Sequence, residues 1–214
     1  MLGIPTLLLA AAGYATAAVV ANSNITLAER SAFSLSRRQA NNGKCGLAWL
    51  ELNLSPAGTI ACQGSALQAE SRERTWAKQW QIDAQVVVYP GNEQDVADTL
   101  KAMTKAPKWF EWTFKSGGHS TVGASAAGGL VIDLSRLNKV EVLKAFQLPD
   151  SKTGKTAPVI SYQGGANWRQ IELATANSGY VAIGARVHSV GAGGFSTGGG
   201  VSANPQTSGI ERKS

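Results

Sequence analysis

The sequence predicts an α+β fold that contains a βαβ unit and a second, mixed sheet. Residues 86–89 read Val-Val-Val-Tyr, an apolar, β-branched run that is typical of a buried strand, and Pro90 ends it. An amphipathic segment and then an aromatic, strand-like run at residues 109–114 follow, which gives the order strand, helix, strand. Later runs at residues 140–142 and 159–162 are typical of paired strands. A βαβ unit predicts a right-handed crossover and a ligand at the carboxyl ends of its strands.

The helix of the βαβ unit is predicted to extend from its cap, Asn92, to about Lys105. Glu93 and Asp95 place acidic groups in the first turn, where they interact favourably with the helix dipole. A further apolar strand is predicted at residues 129–134, directly after a glycine-rich stretch.

The remaining segments of the chain give further, weaker indications of secondary structure. A loop at residues 149–154 contains proline and glycine and joins the paired strands, and a helix at residues 168–177 ends at Gly179. Residues 45–77 stay ambiguous, although residues 67–80 have some helical spacing.

The N-terminus has the pattern of a secretory signal peptide at residues 1–17. A short apolar core at residues 7–12 precedes a small-x-small cleavage pattern at residues 15–17. We therefore expect a secreted protein. Residues 18–79 then form a leader to the folded part, with a candidate processing site at residues 37–38.

Secretion gives the two cysteines a simple interpretation. Cys45 and Cys62 are the only cysteines, and an isolated pair in an oxidising compartment predicts one disulfide rather than a metal site. Asn24 and Asn53 each open a glycosylation sequon, which predicts a glycoprotein. No other apolar run approaches the length that spans a bilayer, so we expect no membrane partner once the signal is removed.

The charge does not indicate a nucleic-acid partner. The formal net charge is +6, but the basic residues alternate with acidic ones instead of gathering in a patch. A solvated surface explains this pattern, and we expect no nucleic-acid binding.

The most informative stretch is the loop at residues 115–120, Lys-Ser-Gly-Gly-His-Ser, which follows the aromatic run. Glycines lack Cβ atoms, so successive backbone N–H groups can close around an anion such as a pyrophosphate. His119 would then touch whatever the loop holds. The alternative is a tight turn with an incidental histidine.

A second glycine cluster lies at residues 191–200. A dinucleotide-binding Rossmann motif needs Gly-x-Gly-x-x-Gly after the first strand and at the start of a helix. Here Ser196 stands at the third glycine position, the cluster lies late in the chain, and no helix is expected to begin at it. No complete phosphate-binding P-loop motif, Gly-x-x-x-x-Gly-Lys-Ser/Thr, is present. Taken alone, this cluster could also be a purely structural glycine-rich segment.

Together, these motifs resemble the berberine-bridge-enzyme-like FAD-linked oxidases of the vanillyl-alcohol-oxidase superfamily, whose cofactor module is the PCMH-type FAD-binding domain. The resemblance keeps the family's motif order from about residue 80 to about residue 202. The matching segments are residues 85–90, 115–120, 131–135, 163–168 and 190–200. The resemblance implies an incomplete PCMH-type FAD-binding domain at residues 80–202, with FAD as cofactor.

The resemblance also implies which residues bind the cofactor. His119 would bond covalently to the flavin 8α-methyl carbon. Some relatives attach the flavin a second time through a cysteine, but Val187 stands at that position, so a single attachment is expected. His188 is expected to be a bystander. The implied cofactor-binding residues are Ser116, Gly117, Gly118, His119, Ser120, Gly123, Val190, Gly191, Gly193, Gly194, Gly198, Gly199 and Val201.

Finally, the resemblance implies that the catalytic half is absent. The chain diverges at residues 203–214, whereas full-length relatives continue into a substrate domain that supplies the general base, so we expect a truncated product and assign no catalytic residue. A complete relative would transfer hydride from a small-molecule C–H bond to the flavin and pass the electrons to O2. The expected function is therefore the FAD-binding part of a secreted FAD-linked oxidoreductase. Alternatives are a truncated, non-catalytic FAD-binding module or inactive gene product, and a secreted structural or carbohydrate-associated domain with no flavin.

Overall fold

The computed structural model describes residues 45–147, 156–202 and 210–212. Several sequence predictions lie outside these residues: the signal peptide, the first part of the leader with Asn24 and the candidate processing site, the loop at residues 149–154, and most of the divergent tail.

The first half of the described chain forms a mixed, four-stranded sheet. Its strands stand in the order β1-β2-β4-β3, in which β2, β4 and β3 are parallel and β1 is antiparallel. The predicted βαβ unit is present, with β4 inserted between its two strands. The elements are β1 (Thr59–Cys62), α1 (Ala66–Glu73), β2 (Val86–Tyr89), α2 (Glu93–Met103), β3 (Trp112–Lys115) and β4 (Leu130–Asp133).

The apolar sequences of the central strands allow both faces of this sheet to be buried. Val86, Val88, Leu130 and Ile132 pack into one core cluster, and the alternate residues of the same strands pack into another. Every residue of β2 and β4 is buried. A parallel strand that is covered on both faces needs such a continuous apolar run.

Two element boundaries in the βαβ unit differ from the prediction. Asn92 caps α2 by accepting a hydrogen bond from the Asp95 N–H at 2.8 Å, but the helix ends at Met103 rather than near Lys105. Strand β3 begins at Trp112 rather than at residue 109. Phe110 instead donates its N–H to Pro107 in a turn, and its side chain is buried in the core.

The second half contains an antiparallel sheet with a helix packed beside it. Strand β5 (Val140–Gln147) pairs with β6 (Thr156–Tyr162), and the register shifts between Leu143 and Phe146. Helix α3 (Trp168–Asn177) begins with a capping box between Asn167 and Gln170. Further elements are β7 (Tyr180–Ala182), α4 (Ala192–Thr197) and β8 (Ile210–Arg212), and β7 pairs with β8. The α+β class is confirmed; within the described residues the first sheet is the mixed one and the second is antiparallel.

The predicted disulfide joins Cys45 to Cys62, the last residue of β1. It fixes the segment before β1 against the core, since Cys45 is buried. The same segment is held at its other end by Asp95, which accepts hydrogen bonds from the Ser55 N–H and hydroxyl, each at 2.7 Å. Burial alone would raise the pKa of Asp95, but these bonds and those from the Gly91 and Asn92 backbone hold it below its usual value.

No helix within the described ranges has the length and apolar character needed to cross a membrane. In the same part of the chain, no group of three or more His, Cys, Asp or Glu side chains could hold a metal ion.

Candidate cofactor site

The loop after β3 is shaped by Gly117 and Gly118. Gly118 has a φ of +74°, a left-handed conformation that L side chains rarely adopt, and a Cβ there would lie 2.6 Å from the Arg74 carbonyl oxygen. Its own carbonyl accepts a hydrogen bond from the Trp76 N–H at 3.0 Å. The loop therefore lies directly on the segment that follows α1.

The two glycine clusters meet at Gly117 and Gly191. A Cβ on Gly117 would lie 2.2 Å from the Gly191 nitrogen, and a Cβ on Gly191 would lie 2.2 Å from the Gly117 nitrogen. The Ser116 hydroxyl donates to the Gly164 carbonyl at 2.6 Å, which brings the motif at residues 163–168 to the same place. Three segments that are far apart in sequence thus converge through backbone contacts that any side chain would block.

The His119 ring lies where these segments converge. Its Nε2 atom is 2.9 Å from the Ser189 hydroxyl oxygen, and its plane stacks on the Trp76 indole with ring centroids 5.9 Å apart. Burial lowers the pKa of His119 below its usual value, which favours the neutral imidazole near pH 7. A neutral imidazole keeps a lone pair on one ring nitrogen.

Below the loop lies a polar cluster, which we call the Lys115 cluster. It consists of the buried residues Ser71, Thr75, Lys115 and Asp133 and the partly exposed Arg74. The Lys115 ammonium donates to the Ser71 carbonyl at 2.7 Å and to the Thr75 hydroxyl at 2.8 Å. Asp133 accepts a hydrogen bond from the Ser71 hydroxyl at 2.5 Å and pairs with the Arg74 guanidinium. Burial lowers the pKa of Lys115 to about 8. The cluster fixes α1 and the residues after it against the ends of β3 and β4.

The remaining predicted residues of the first loop shape its backbone. The Ser120 hydroxyl accepts hydrogen bonds from the Val122 and Ala124 N–H groups, at 3.3 and 3.0 Å. A Cβ on Gly123 would press on the Trp80 ring at 2.5 Å. Gly123 therefore lies against an aromatic ring. Contact of Ser120 or Gly123 with FAD stays a prediction.

The second cluster contains a helix, so the expectation that no helix begins there was wrong. Helix α4 forms despite its glycines because Ala192 is fully buried and Phe195 packs edge-on against Trp168, with ring centroids 5.1 Å apart. Packing thus outweighs the poor helix propensity of glycine.

The predicted residues of this cluster differ in exposure. Gly193 lies under the Gly164 carbonyl, and Gly198 closes α4 by donating its N–H to Gly194 at 3.0 Å. The Val190 carbonyl accepts the Trp168 N–H at 3.1 Å. Cβ atoms on Gly194 and Gly199 would meet nothing within 4 Å. Val201 is 84% exposed, so the outer part of this segment presents an open surface.

Sequence reasoning missed Trp76 and Ser189, both of which contact His119. Trp76 lies in the stretch that the sequence left ambiguous, and its stacking depends on the tertiary fold. Ser189 stands just before the second glycine cluster. This position was the only feature of the sequence that could have indicated Ser189 as a site residue. His188, its neighbour, lies 3.1 Å from Glu172 in an exposed pair.

The site suits an anionic dinucleotide. Among the described residues, the backbone N–H groups of residues 116–121 donate no hydrogen bond to the protein. Such a run of N–H groups is an anion-binding arrangement. The Cβ positions of Gly117 and Gly118 are filled by Gly191 and by the Arg74 carbonyl, so these glycines serve the close packing of the loop. Fold and site together have the features of a dinucleotide-binding domain, and the residues present fit FAD.

Comparison with known proteins gives the family. Residues 84–211 match the family described as FAD binding domain, so the chain belongs to that family. It is 33% identical over 150 residues to the FAD-dependent monooxygenase sdcF of Emericella nidulans, covering 69% of this chain and 29% of that protein. It is 30% identical over 154 residues to the FAD-linked oxidoreductase pgmH of Aspergillus terreus, covering 71% of this chain and 29% of that protein. The chain thus spans less than a third of the length of these relatives.

Solved structures share the fold. The 6-hydroxy-D-nicotine oxidase of Arthrobacter nicotinovorans aligns with a TM-score of 0.53 at 20% identity, covering 66% of this chain and 28% of that one. A VAO-type flavoprotein of Myceliophthora thermophila aligns with a TM-score of 0.51 at 21% identity, covering 65% and 26%. The predicted resemblance to FAD-linked flavoproteins is confirmed: the chain carries the FAD-binding domain of an FAD-dependent oxidoreductase family.

Proposed function

We propose that this chain is the FAD-binding part of a secreted FAD-linked oxidoreductase and holds FAD between the loop at residues 115–121 and the segment at residues 189–200. The observation that carries this proposal is the direct backbone contact between Gly117 and Gly191, with the His119 ring beside it. Loops that converge in this way form a single site rather than two separate turns.

The two segments would contribute to FAD binding in different ways. The free N–H groups of residues 116–121 would bind the diphosphate, since an anion with two negative charges needs several donors. Gly194 and Gly199, which face open space, would allow the cofactor to approach from the other segment. Bound FAD would supply two-electron chemistry, accepting a hydride from a substrate C–H bond and returning the electrons to O2.

His119 would attach to FAD covalently and singly. The net change joins an imidazole nitrogen to the flavin 8α-methyl carbon with loss of one hydrogen from each, and O2 takes up both hydrogens and two electrons as H2O2. The lowered pKa of His119 supports this role because the neutral ring is the nucleophile. Val187, at the position of the second attachment in some relatives, has no thiol.

The substrate and the base that accepts its proton belong to the whole protein. We propose a small organic molecule oxidised at a C–H bond, in keeping with the FAD-linked oxidoreductase and monooxygenase names of the relatives. The signal-peptide pattern supports secretion, and the disulfide fits an oxidising compartment. Asn53, which is exposed, is the proposed glycosylation site within the described residues.

Acid precipitation after incubation with FAD and O2 tests the attachment. We expect yellow flavin to stay with the precipitated wild-type chain and to be released from His119→Ala, while His188→Ala, the matched histidine control, behaves like wild type. Complete release from the wild type would contradict the covalent bond. A chain that retains flavin but forms no H2O2 with any tested substrate would favour the alternative, a non-catalytic FAD-binding module.

A further inference from the structure

The His119 ring is fixed on two sides and open on a third. Ser189 holds Nε2 at 2.9 Å, and Trp76 covers one face with an angle of 16° between the ring planes. Within the described part of the chain, Nδ1 has no hydrogen-bond partner. The two nitrogens of the same ring therefore lie in different surroundings.

Ser189 is held in place by its neighbours along the chain. The His188 carbonyl accepts the Arg169 N–H, and the Val190 carbonyl accepts the Trp168 N–H, each at 3.1 Å. Both bonds tie the backbone on either side of Ser189 to the first turn of α3. The Ser189 carbonyl also lies against the first loop, since a Cβ on Gly117 would approach it to 2.8 Å. The hydroxyl thus meets His119 from a fixed backbone.

Trp76 is fixed from the opposite side of the site. The backbone N–H of Trp76 donates to the Gly118 carbonyl. The hydroxyl of the preceding residue, Thr75, accepts a hydrogen bond from the buried Lys115 ammonium. Trp76 is nonetheless 64% exposed, so burial in the core does not explain the position of its indole. Its ring contact is with His119.

We propose that Ser189 and Trp76 are positioning residues that hold the His119 ring in one orientation, with Ser189 engaging Nε2 so that Nδ1 is the nitrogen presented to the cofactor. This inference rests on the proposed function and deepens it. In a neutral imidazole one nitrogen carries the proton and the other the lone pair. If Nε2–H donates to the Ser189 oxygen, the lone pair lies on Nδ1. The opposite arrangement, in which the Ser189 hydroxyl donates to Nε2, would place the proton on Nδ1.

Nitrogen NMR of the cofactor-free chain tests this directly. The sequence has two histidines, so His119→Gln assigns the signals. We expect His119 of the wild type to show the tautomer protonated at Nε2. The matched variants Ser189→Thr and Ser189→Val have nearly the same shape, but only threonine keeps the hydroxyl. Threonine should preserve the tautomer, and valine should produce a mixture of both forms.

Attachment kinetics give the second readout. Loss of one hydrogen bond that orients the ring should slow covalent flavin formation about three- to tenfold in Ser189→Val, with Ser189→Thr near wild type. Trp76→Ala should slow it as well, and Trp76→Phe, which keeps a stacking ring, should restore most of the rate. Circular dichroism establishes that each variant is folded, and Ser189→Ala replaces Ser189→Val if valine prevents folding.

The outcomes separate this inference from the proposed function. A wild-type His119 protonated at Nδ1, or identical tautomers and rates in the threonine and valine variants, would overturn the positioning role. If the tautomer shifts as expected but no variant and no wild type ever bonds flavin, the positioning role stands and the covalent attachment fails.

Discussion

The two halves of the candidate site are built differently. The loop that carries His119 lies on the Lys115 cluster and on the backbone after α1, so its conformation is fixed by the protein itself. The facing segment is anchored in its first half, through Gly191, Ala192 and Phe195, whereas its residues from Ser196 to Val201 are exposed. The comparison teaches that the first loop is preorganised, while the second presents an open surface on which a ligand or further chain can pack.

The largest expected effect is from Asp133→Asn in the Lys115 cluster. Asp133 has no exposed surface, and neutralising it leaves the Lys115 ammonium and the Arg74 guanidinium without their carboxylate. We expect the free energy of unfolding, measured with urea, to fall by about 3 kcal/mol. Glu172→Gln, which removes an exposed carboxylate beside His188, should cost less than about 1 kcal/mol. Equal effects of the two changes would mean that the first loop is not supported by the cluster.

Gly117→Ala should have the next largest effect, because its methyl group would meet the Gly191 backbone. Crowding at such a contact should lower the free energy of unfolding by about 2 kcal/mol and separate the two segments. Flavin retention after gel filtration should fall with it. A Gly117→Ala chain with wild-type stability and flavin content would show that the contact is not needed.

The pH dependence of stability follows from Lys115. Burial lowers its pKa from the ordinary 10.5 to about 8, so between these values the unfolded chain binds more protons than the folded one. Stability from this group therefore rises with pH across that window and is lost as pH falls towards 8. Urea midpoints measured between pH 8 and pH 9.5 should increase in the wild type relative to Lys115→Met. Parallel curves for the two proteins would contradict the lowered pKa of the buried Lys115.

Gly194→Ala should have the smallest effect on stability. Its Cβ would meet no protein atom within 4 Å, and alanine favours the helix, so the free energy of unfolding should change by less than about 1 kcal/mol. If FAD approaches this face, flavin retention should nevertheless decrease. Unchanged retention would place the cofactor away from Gly194 and restrict the site to the inner part of the segment.

The sequence predicted the parts of the fold that local pattern determines. The valine run of β2, the Asn92 cap and the glycine loop each carry their own signal. Strand β1 was missed because its Thr-Ile-Ala-Cys run is too short to distinguish from a loop and forms only by pairing with β2. Trp76 and Ser189 reach His119 through tertiary contacts, which no spacing in the sequence reveals. Helix α4 was missed because its glycines oppose helix formation and its packing on Trp168 overcomes them.

Hydrogen–deuterium exchange with and without FAD tests most directly whether the two segments form one binding site. Addition of FAD should slow exchange at residues 116–121 and at residues 191–199 together, and over the same range of FAD concentration, because one dinucleotide contacts both. Protection of only one segment, or of neither at concentrations that saturate flavin binding, would contradict the account.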